Sequence, residues 1–313
     1  MCGIVGYVGK EECTSILVNA LRRLEYRGYD SAGIAVFEGD KLYTVKAKGK
    51  IDDGLIRKLH EGKHLTATAG IGHTRWATHG APTKENAHPH SSDTLTLVHN
   101  GIIDNCLNIK EELEKEGYVF VSDTDTECIA HLTDREYKKL GDPAAALYSA
   151  CARLRGSYAL AVIFNDRPNE VYAVRKDNPL ILAIAEDGAY AASDIPALLP
   201  YSREIIRPGE DEVFCLRRDG AYFVSKDGGY EKRETEHFAL DVGAAGKDGY
   251  DFYMLKEIHE EPDAVFRTVS HRIGTDGLPD FSGDGIPDSL WRECDSVSII
   301  GCGSATHAGL VGR

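Results

Sequence analysis

Cys2-Gly3-Ile4-Val5-Gly6-Tyr7-Val8-Gly9, directly behind Met1, is the stretch on which the fold turns. Ile4 to Val8 is a short β-prone run that stops at Gly9, and Cys13, Ile16, Leu17, Ala20, Leu21 and Leu24 follow at helical spacing. The chain therefore opens as a strand and then an amphipathic helix. Ser31 to Phe37 and Leu42 to Ala47 flank Glu38-Gly39-Asp40 as a hairpin, and Ala69 to His73 and Thr94 to His99 read as further strands. Helical patterns then cover Asn105 to Glu116, Thr126 to Leu140 and Pro143 to Arg153. From Tyr158 the pattern returns to short strands, at Tyr158 to Phe164, Val171 to Val174, Leu180 to Ala185, Tyr190 to Ala192, Val213 to Leu216 and Tyr222 to Val224. Strands at both ends with helices between predict layered sheets covered by helices, an α+β fold.

The 313 residues allow about two domains. Asp241 to Tyr250, with Gly243, Gly246 and Gly249, interrupts every apolar period, so a linker is expected there between a domain of residues 2–240 and a second one from 251 to 313. In the second, a helix near Tyr253 to Ser270 leads to Ser296-Val297-Ser298-Ile299-Ile300, which has the signature of a buried strand running into Gly301-Cys302-Gly303-Ser304. A parallel αβ domain needs more residues than these, so the sequence predicts an incomplete one. A net charge of −14 opposes binding to nucleic acid or to an anionic membrane surface, both of which call for clustered Lys and Arg. No apolar run approaches the ~20 residues of a membrane helix, and the opening residues lack a basic and an apolar signal segment; a cytoplasmic protein acting on a small molecule is expected.

Eight cysteines include no C-x-x-C pair, and no export signal points to an oxidising compartment, which argues against a disulfide framework. Cys13, Cys128 and Cys215 fall in apolar runs and read as small buried hydrophobes. Cys2 differs by position. Removal of Met1 gives it both a thiol and a free α-amine, and an amine of pKa ~7.7–8.0 can take the thiol proton near neutral pH. One residue then supplies nucleophile and base.

Cys2-Gly3-Ile4-Val5-Gly6 is followed in order by four more runs: Arg27-Gly28-Tyr29-Asp30-Ser31-Ala32-Gly33, Thr74-Arg75-Trp76-Ala77-Thr78-His79-Gly80, His99-Asn100-Gly101 and Thr124-Asp125-Thr126-Glu127. This set resembles the class II glutamine amidotransferases over essentially the whole chain. Leu24 to Gly33, Trp76 with His79, and Asn86-Ala87-His88-Pro89-His90 tilt the resemblance to the glutamine–fructose-6-phosphate aminotransferases within that family, with amidophosphoribosyltransferase as the alternative. It implies a four-layer sandwich, two antiparallel sheets between helix layers, of the N-terminal-nucleophile hydrolases, followed by the truncated start of an αβ sugar isomerase domain. The resemblance also implies L-glutamine as substrate, fructose 6-phosphate as acceptor in the full-length enzyme only, a homodimer at full length, and no metal or cofactor.

By resemblance Cys2 attacks the glutamine amide, forming a thioester and ammonia. The side-chain amide of Asn100 and the backbone N–H of Gly101 suit a tetrahedral oxyanion, which needs fixed donors; Asn-Gly is also a common hairpin turn, and both readings stand together. Arg75 can fork onto the α-carboxylate and Asp125 can take the α-ammonium. The family pattern adds Thr78 and His79 near the carboxylate on a closing loop, and Arg27 and Trp76 around the nucleophile and the ammonia exit. Two rivals come from other classes. His73, His79, His88, His90 and His99 with Cys2 could ligate zinc, although their spacings are irregular. The Gly301 to Ser304 turn could hold a sugar phosphate, but Ala305 lacks the hydroxyl that the family has there.

Overall fold

The computed structural model describes residues 2–39, 41–62, 66–77, 80–239, 248–301 and 304–312. The chain divides into two compact units, Met1–Val242 and Gly243–Arg313. In the first, the strands in chain order are β1 (Gly3–Gly9), β2 (Ser31–Glu38), β3 (Lys41–Lys48), β4 (Ala69–Arg75), β5 (His90–Ser91), β6 (Leu95–Ile103), β7 (Gly156–Phe164) and β8 (Val171–Lys176). They continue as β9 (Ile181–Ala185), β10 (Gly188–Ala192), β11 (Glu204–Ile206), β12 (Val213–Arg217), β13 (Gly220–Val224), β14 (Tyr230–Lys232) and β15 (Glu236–His237). The helices are α1 (Cys13–Arg22), α2 (Arg57–Glu61), α3 (Cys106–Lys115), α4 (Asp125–Leu140) and α5 (Pro143–Cys151).

Two sheets result. One has eight strands in the order β15-β11-β9-β10-β1-β4-β2-β3, the other seven in the order β14-β13-β12-β8-β7-β6-β5. Every pairing between these strands is antiparallel. Side chains alternate across a strand, and the two faces of β1 and β7 show where each layer lies. Val5 and Tyr7 join Leu17, Leu21 and Leu24 in a core under α1, whereas Ile4 and Val8 point into a second core with Val98, Ala159, Ala161 and Ile163. From β7, Tyr158, Leu160, Val162 and Phe164 turn the other way, onto Ile109, Leu113, Ile129 and Leu147 of α3, α4 and α5. Three cores thus fill the three spaces between helix, sheet, sheet and helix. With both faces of each central strand buried, the runs read as continuous apolar stretches.

Local chemistry fixes the element ends. The Glu12 carboxylate accepts the N–H groups of Thr14 and Ser15 at 2.6 and 2.9 Å and so caps α1. Asp142 accepts from the N–H of Ala145 at 2.8 Å ahead of Pro143, the first residue of α5. Asn100-Gly101 is not a turn, contrary to the hairpin expectation. β6 runs through both residues, pairing Asn100 with Ala159 and Gly101 with Tyr158. The unbroken ladder with β7 leaves no place for a reversal until Ile103.

The second unit contains α6 (Tyr253–Val269), with Pro262 inside it, and two shorter helices, α7 (Asp288–Glu293) and α8 (Ser304–Gly312). Ser296 to Ile300, predicted as a buried strand, has no strand partner, and Ile300 is 94% exposed. An extended run becomes a sheet strand only where neighbours take its N–H and C=O groups. Among the described residues of this unit the sole bridge joins Ile273 and Pro279. Cys302 and Gly303 of the expected phosphate turn, and 241–247 of the expected linker, lie outside the described residues.

Candidate active site

Cys2 stands immediately before β1, and the register of β1 on β4, with Gly3 opposite Thr74, brings it to the end of β4 where Arg75 and Trp76 follow. The Cys2 sulfur accepts the Trp76 N–H at 3.3 Å and lies 3.6 Å from the Trp76 carbonyl. Gly28 is required beside this junction, since a Cβ there would sit 2.7 Å from the Arg75 carbonyl carbon and 2.8 Å from the Trp76 nitrogen. Burial pushes the Cys2 thiol up from its ordinary value, while the Trp76 N–H and the Arg75 guanidinium pull it down. A thiol raised in this way is protonated at neutral pH and needs a base to become a nucleophile.

From the other sheet, the Asn100 Nδ2 donates to the Cys2 carbonyl at 3.0 Å. The expected nucleophile and one donor expected for the oxyanion are therefore hydrogen-bonded neighbours, although 98 positions separate them in sequence. Gly101 has φ +137°, a conformation that side chains rarely tolerate, and a Cβ on it would fall 2.0 Å from the Ser157 carbonyl oxygen. Glycine is demanded here twice, by φ and by space.

Arg75 ends β4 and is buried; its Nη2 and Nη1 donate to the carbonyls of Gly80 and Ala81 at 3.1 and 3.2 Å. Asp125, first residue of α4, accepts the Ile103 N–H at 2.9 Å through Oδ2 and keeps Oδ1 3.8 Å from His99 Nδ1. Burial lowers the Arg75 pKa, and Cys2, Asp30 and Asp125 oppose that shift, which places all four groups in one electrostatic neighbourhood. Arg27 donates to the Ser193 carbonyl at 2.8 Å and lies 3.4 Å from Asp194. Trp76 is half-exposed, its ring edge-on to Tyr29 at 5.4 Å. Thr78 and His79 lie outside the described residues.

The roles of two groups escaped the sequence reading. Asn86 ties the segment after Arg75 to the residues that lead into α4: its Nδ2 donates to the Ala81 carbonyl at 3.0 Å and to Asp123 at 3.2 Å, and its Oδ1 accepts the Asp123 N–H at 2.9 Å. One carbonyl, that of Ala81, thus serves both Arg75 and Asn86. The second group is a set of buried imidazoles, which stand in the sequence as motif residues (His88, His90, His99) or as rival metal ligands, but not as a hydrogen-bonded set. His73 Nε2 lies 3.0 Å from Asn100 Oδ1 and 3.1 Å from the His99 carbonyl, and its ring stacks on His88 at 3.9 Å. His88 Nδ1 accepts the His99 N–H at 3.3 Å, and the Thr126 hydroxyl meets both His99 Nδ1, at 3.0 Å, and His88 Nε2, at 3.4 Å. Burial drives His73 and His90 down to about 3 and His88 well below its ordinary value. It also lowers His99, against the pull of Asp125. These rings are neutral hydrogen-bonding groups, and among the described residues no group of three or more His, Cys, Asp or Glu is arranged to hold a metal ion.

Residues 73–200 match the family described as Glutamine amidotransferase domain. Over its whole length the chain is 45% identical to a glutamine--fructose-6-phosphate aminotransferase [isomerizing] of Clostridium tetani and 45% identical to one of Aquifex aeolicus. Each alignment takes in 100% of this chain and 51% of the relative, so the chain spans about half the length of the curated relatives it matches. Among solved structures it is similar to the glutamine phosphoribosylpyrophosphate amidotransferase from B. subtilis complexed with ADP and GMP. That match is 26% identical with a TM-score of 0.59 and covers 77% of this chain and 50% of that one. A second, titled as the allosteric regulatory enzyme of purine biosynthesis, is 26% identical with a TM-score of 0.60 and the same coverage.

Proposed function

We infer, for a chain that has the N-terminal-nucleophile hydrolase fold and carries a glutamine amidotransferase domain, that its site releases ammonia from the side-chain amide of L-glutamine through a thioester on Cys2. The observation that carries this reading is the contact of Asn100 Nδ2 with the backbone of the residue whose thiol is held at the Trp76 N–H. With Cys2 as first residue of the mature chain, its α-amine takes the thiol proton. The sulfur adds to the amide carbon, and the negative charge moves to the amide oxygen. Asn100 Nδ2 has a second N–H to offer that oxygen, beside the Gly101 N–H. Collapse of the intermediate breaks the C–N bond, and the amine returns its proton to the leaving ammonia. Water then attacks the thioester, releasing glutamate and restoring the thiol.

Arg75 supports recognition of the α-carboxylate and Asp125 that of the α-ammonium, with Thr78 and His79 adding contacts on the carboxylate side. Arg27 and Trp76 shape the wall around the thiol. The proposed acceptor is fructose 6-phosphate, converted to glucosamine 6-phosphate by the longer enzyme, working as a homodimer in the cytoplasm. Identity of 45% to aminotransferases of that name, against 26% to the phosphoribosylpyrophosphate enzyme, favours the sugar. Among the described residues no helix is long and apolar enough to cross a membrane.

Glutamate release from glutamine is the test. Cys2→Ala should reduce it to background while circular dichroism stays unchanged, and retained hydrolysis would falsify the assignment. The acceptor is tested separately, by adding fructose 6-phosphate or phosphoribosyl pyrophosphate and identifying the aminated product by mass spectrometry.

A further inference from the structure

The mechanism uses only the amide nitrogen of Asn100, yet a side-chain amide has two ends that differ by a flip about one bond. Something must settle which end meets the substrate. The Cys2 carbonyl is an acceptor and nothing else, so the Asn100 atom 3.0 Å from it must be the nitrogen. The oxygen then faces His73 Nε2 at 3.0 Å, and the same ring nitrogen lies 3.1 Å from the His99 carbonyl, a second pure acceptor. Only an N–H satisfies both, so the proton of the neutral ring sits on Nε2 and Nδ1 is bare. Consistently, Nδ1 is buried and has no hydrogen-bond partner among the described residues.

From these contacts we propose that His73 is a positioning residue for the amidotransferase reaction: its Nε2–H holds Asn100 Oδ1, fixing the amide with its donors toward Cys2 and the developing oxyanion. The inference rests on the reading of Asn100 as oxyanion donor. The ring itself is held in place by stacking on His88, whose Nδ1 accepts the His99 N–H. That hydrogen bond leaves the remaining proton of His88 on Nε2, toward Thr126. His73 is fully buried in β4, opposite Ile4 of β1 and Gly33 of β2, so it reaches Asn100 from the nucleophile's own sheet. Donation to Oδ1 also polarises the amide, so that each Nδ2–H becomes a stronger donor when charge appears. An amide free to flip would present its oxygen to the oxyanion for part of the time, repelling the charge it should stabilise.

The test compares four variants by steady-state glutaminase kinetics: His73→Leu, which removes the donor; His73→Gln, whose amide N–H can reach the same oxygen; Asn100→Ala; and Asn100→Ala with His73→Leu. His73→Leu should lower kcat by about 10- to 100-fold, within the ~10²–10³-fold cost of removing an oxyanion donor outright, with KM for glutamine within about threefold. His73→Gln should recover most of that loss. In the Asn100→Ala background His73→Leu should cost nothing more, because it acts only through Asn100. Equal losses in both backgrounds, or no loss in either, would overturn the proposal. Full activity of Asn100→Ala would instead sink the reading of Asn100 itself. Should His73→Leu fail to fold by circular dichroism, His73→Asn takes its place: it keeps an amide but is too short to reach, and activity equal to that of His73→Gln would count against the inference.

Discussion

The two sheets build the site in different ways. On the eight-stranded sheet the groups assigned to chemistry and recognition sit where strands stop: Cys2 just before β1, Arg75 at the last residue of β4, Trp76 beyond it. On the seven-stranded sheet Asn100 and Gly101 sit inside β6, which is paired with β7 along its whole length. Strand ends have unpaired backbone groups and open toward solvent, so they can receive a substrate. Positions inside a ladder cannot shift without breaking pairs on either side, and they suit donors that must be in place before charge develops. One sheet therefore offers a rim and the other a floor.

The sharpest way to break this contrast is at the floor. Asn100→Ala should lower kcat by ~10²–10³-fold, about 2.7–4 kcal/mol of transition-state stabilisation, while KM for glutamine changes little. A rise in KM at constant kcat would move Asn100 to the rim. The complementary test is Arg75→Lys, which keeps the charge but loses the planar fork. Its effect should appear mainly in KM, raised by roughly 10- to 100-fold, the equivalent of about 1.5–3 kcal/mol for a charged hydrogen-bonded pair. If Arg75→Lys instead lowers kcat alone, both sheets would be acting on the transition state and the division would fail.

A smaller effect, shared by the two sides, should appear with pH. Both sheets carry imidazoles kept neutral by burial, His73 on β4 and His90 on β5, at about 3 against an ordinary value near 6.5. Below pH 6.5 the unfolded chain binds protons that the folded chain refuses, so stability is complete above that pH and falls as pH falls toward 3. Each such histidine contributes a slope of about 1.4 kcal/mol per pH unit. Urea midpoints at pH 7, 6 and 5 should decline accordingly. His90→Gln, which removes one of these protons, should flatten the slope. A midpoint independent of pH over this range would mean that the rings titrate normally in the folded protein.

Much of the architecture was legible because central strands buried on both faces leave long apolar runs, and because α1 and α4 carry regular helical stripes. Glu204–Ile206, Tyr230–Lys232 and Glu236–His237 were not, since two or three residues are too few to show a period and tertiary pairing alone makes them strands. Ser296 to Ile300 failed in the opposite sense: the apolar run is there, but no neighbouring strand meets it among the described residues. At the site, Cys2, Arg75, Asn100 and Asp125 stand out through the runs in which they lie. Asn86 lies in such a run too, but its part and that of His73 do not show there, because they depend on which end of an amide faces which atom, and sequence spacing carries no information about that. The same blindness made Asn100-Gly101 look like a turn, although its ladder with Ala159 and Tyr158 is set by a strand more than fifty residues downstream.

The half-exposed side chain of Trp76, a residue joined to Cys2 through its backbone, has an optical consequence. The chain has two tryptophans, Trp76, whose backbone N–H meets the Cys2 sulfur, and Trp291, which packs against Phe281 in the second unit. Trp291→Phe would leave a single fluorophore, on the residue whose backbone N–H meets the Cys2 sulfur. Its emission would then report whether the indole is wet or dry. A blue shift on mixing with glutamine would report water leaving the surroundings of Trp76, and in Cys2→Ala, where no thioester can form, it would separate substrate arrival from the first chemical step.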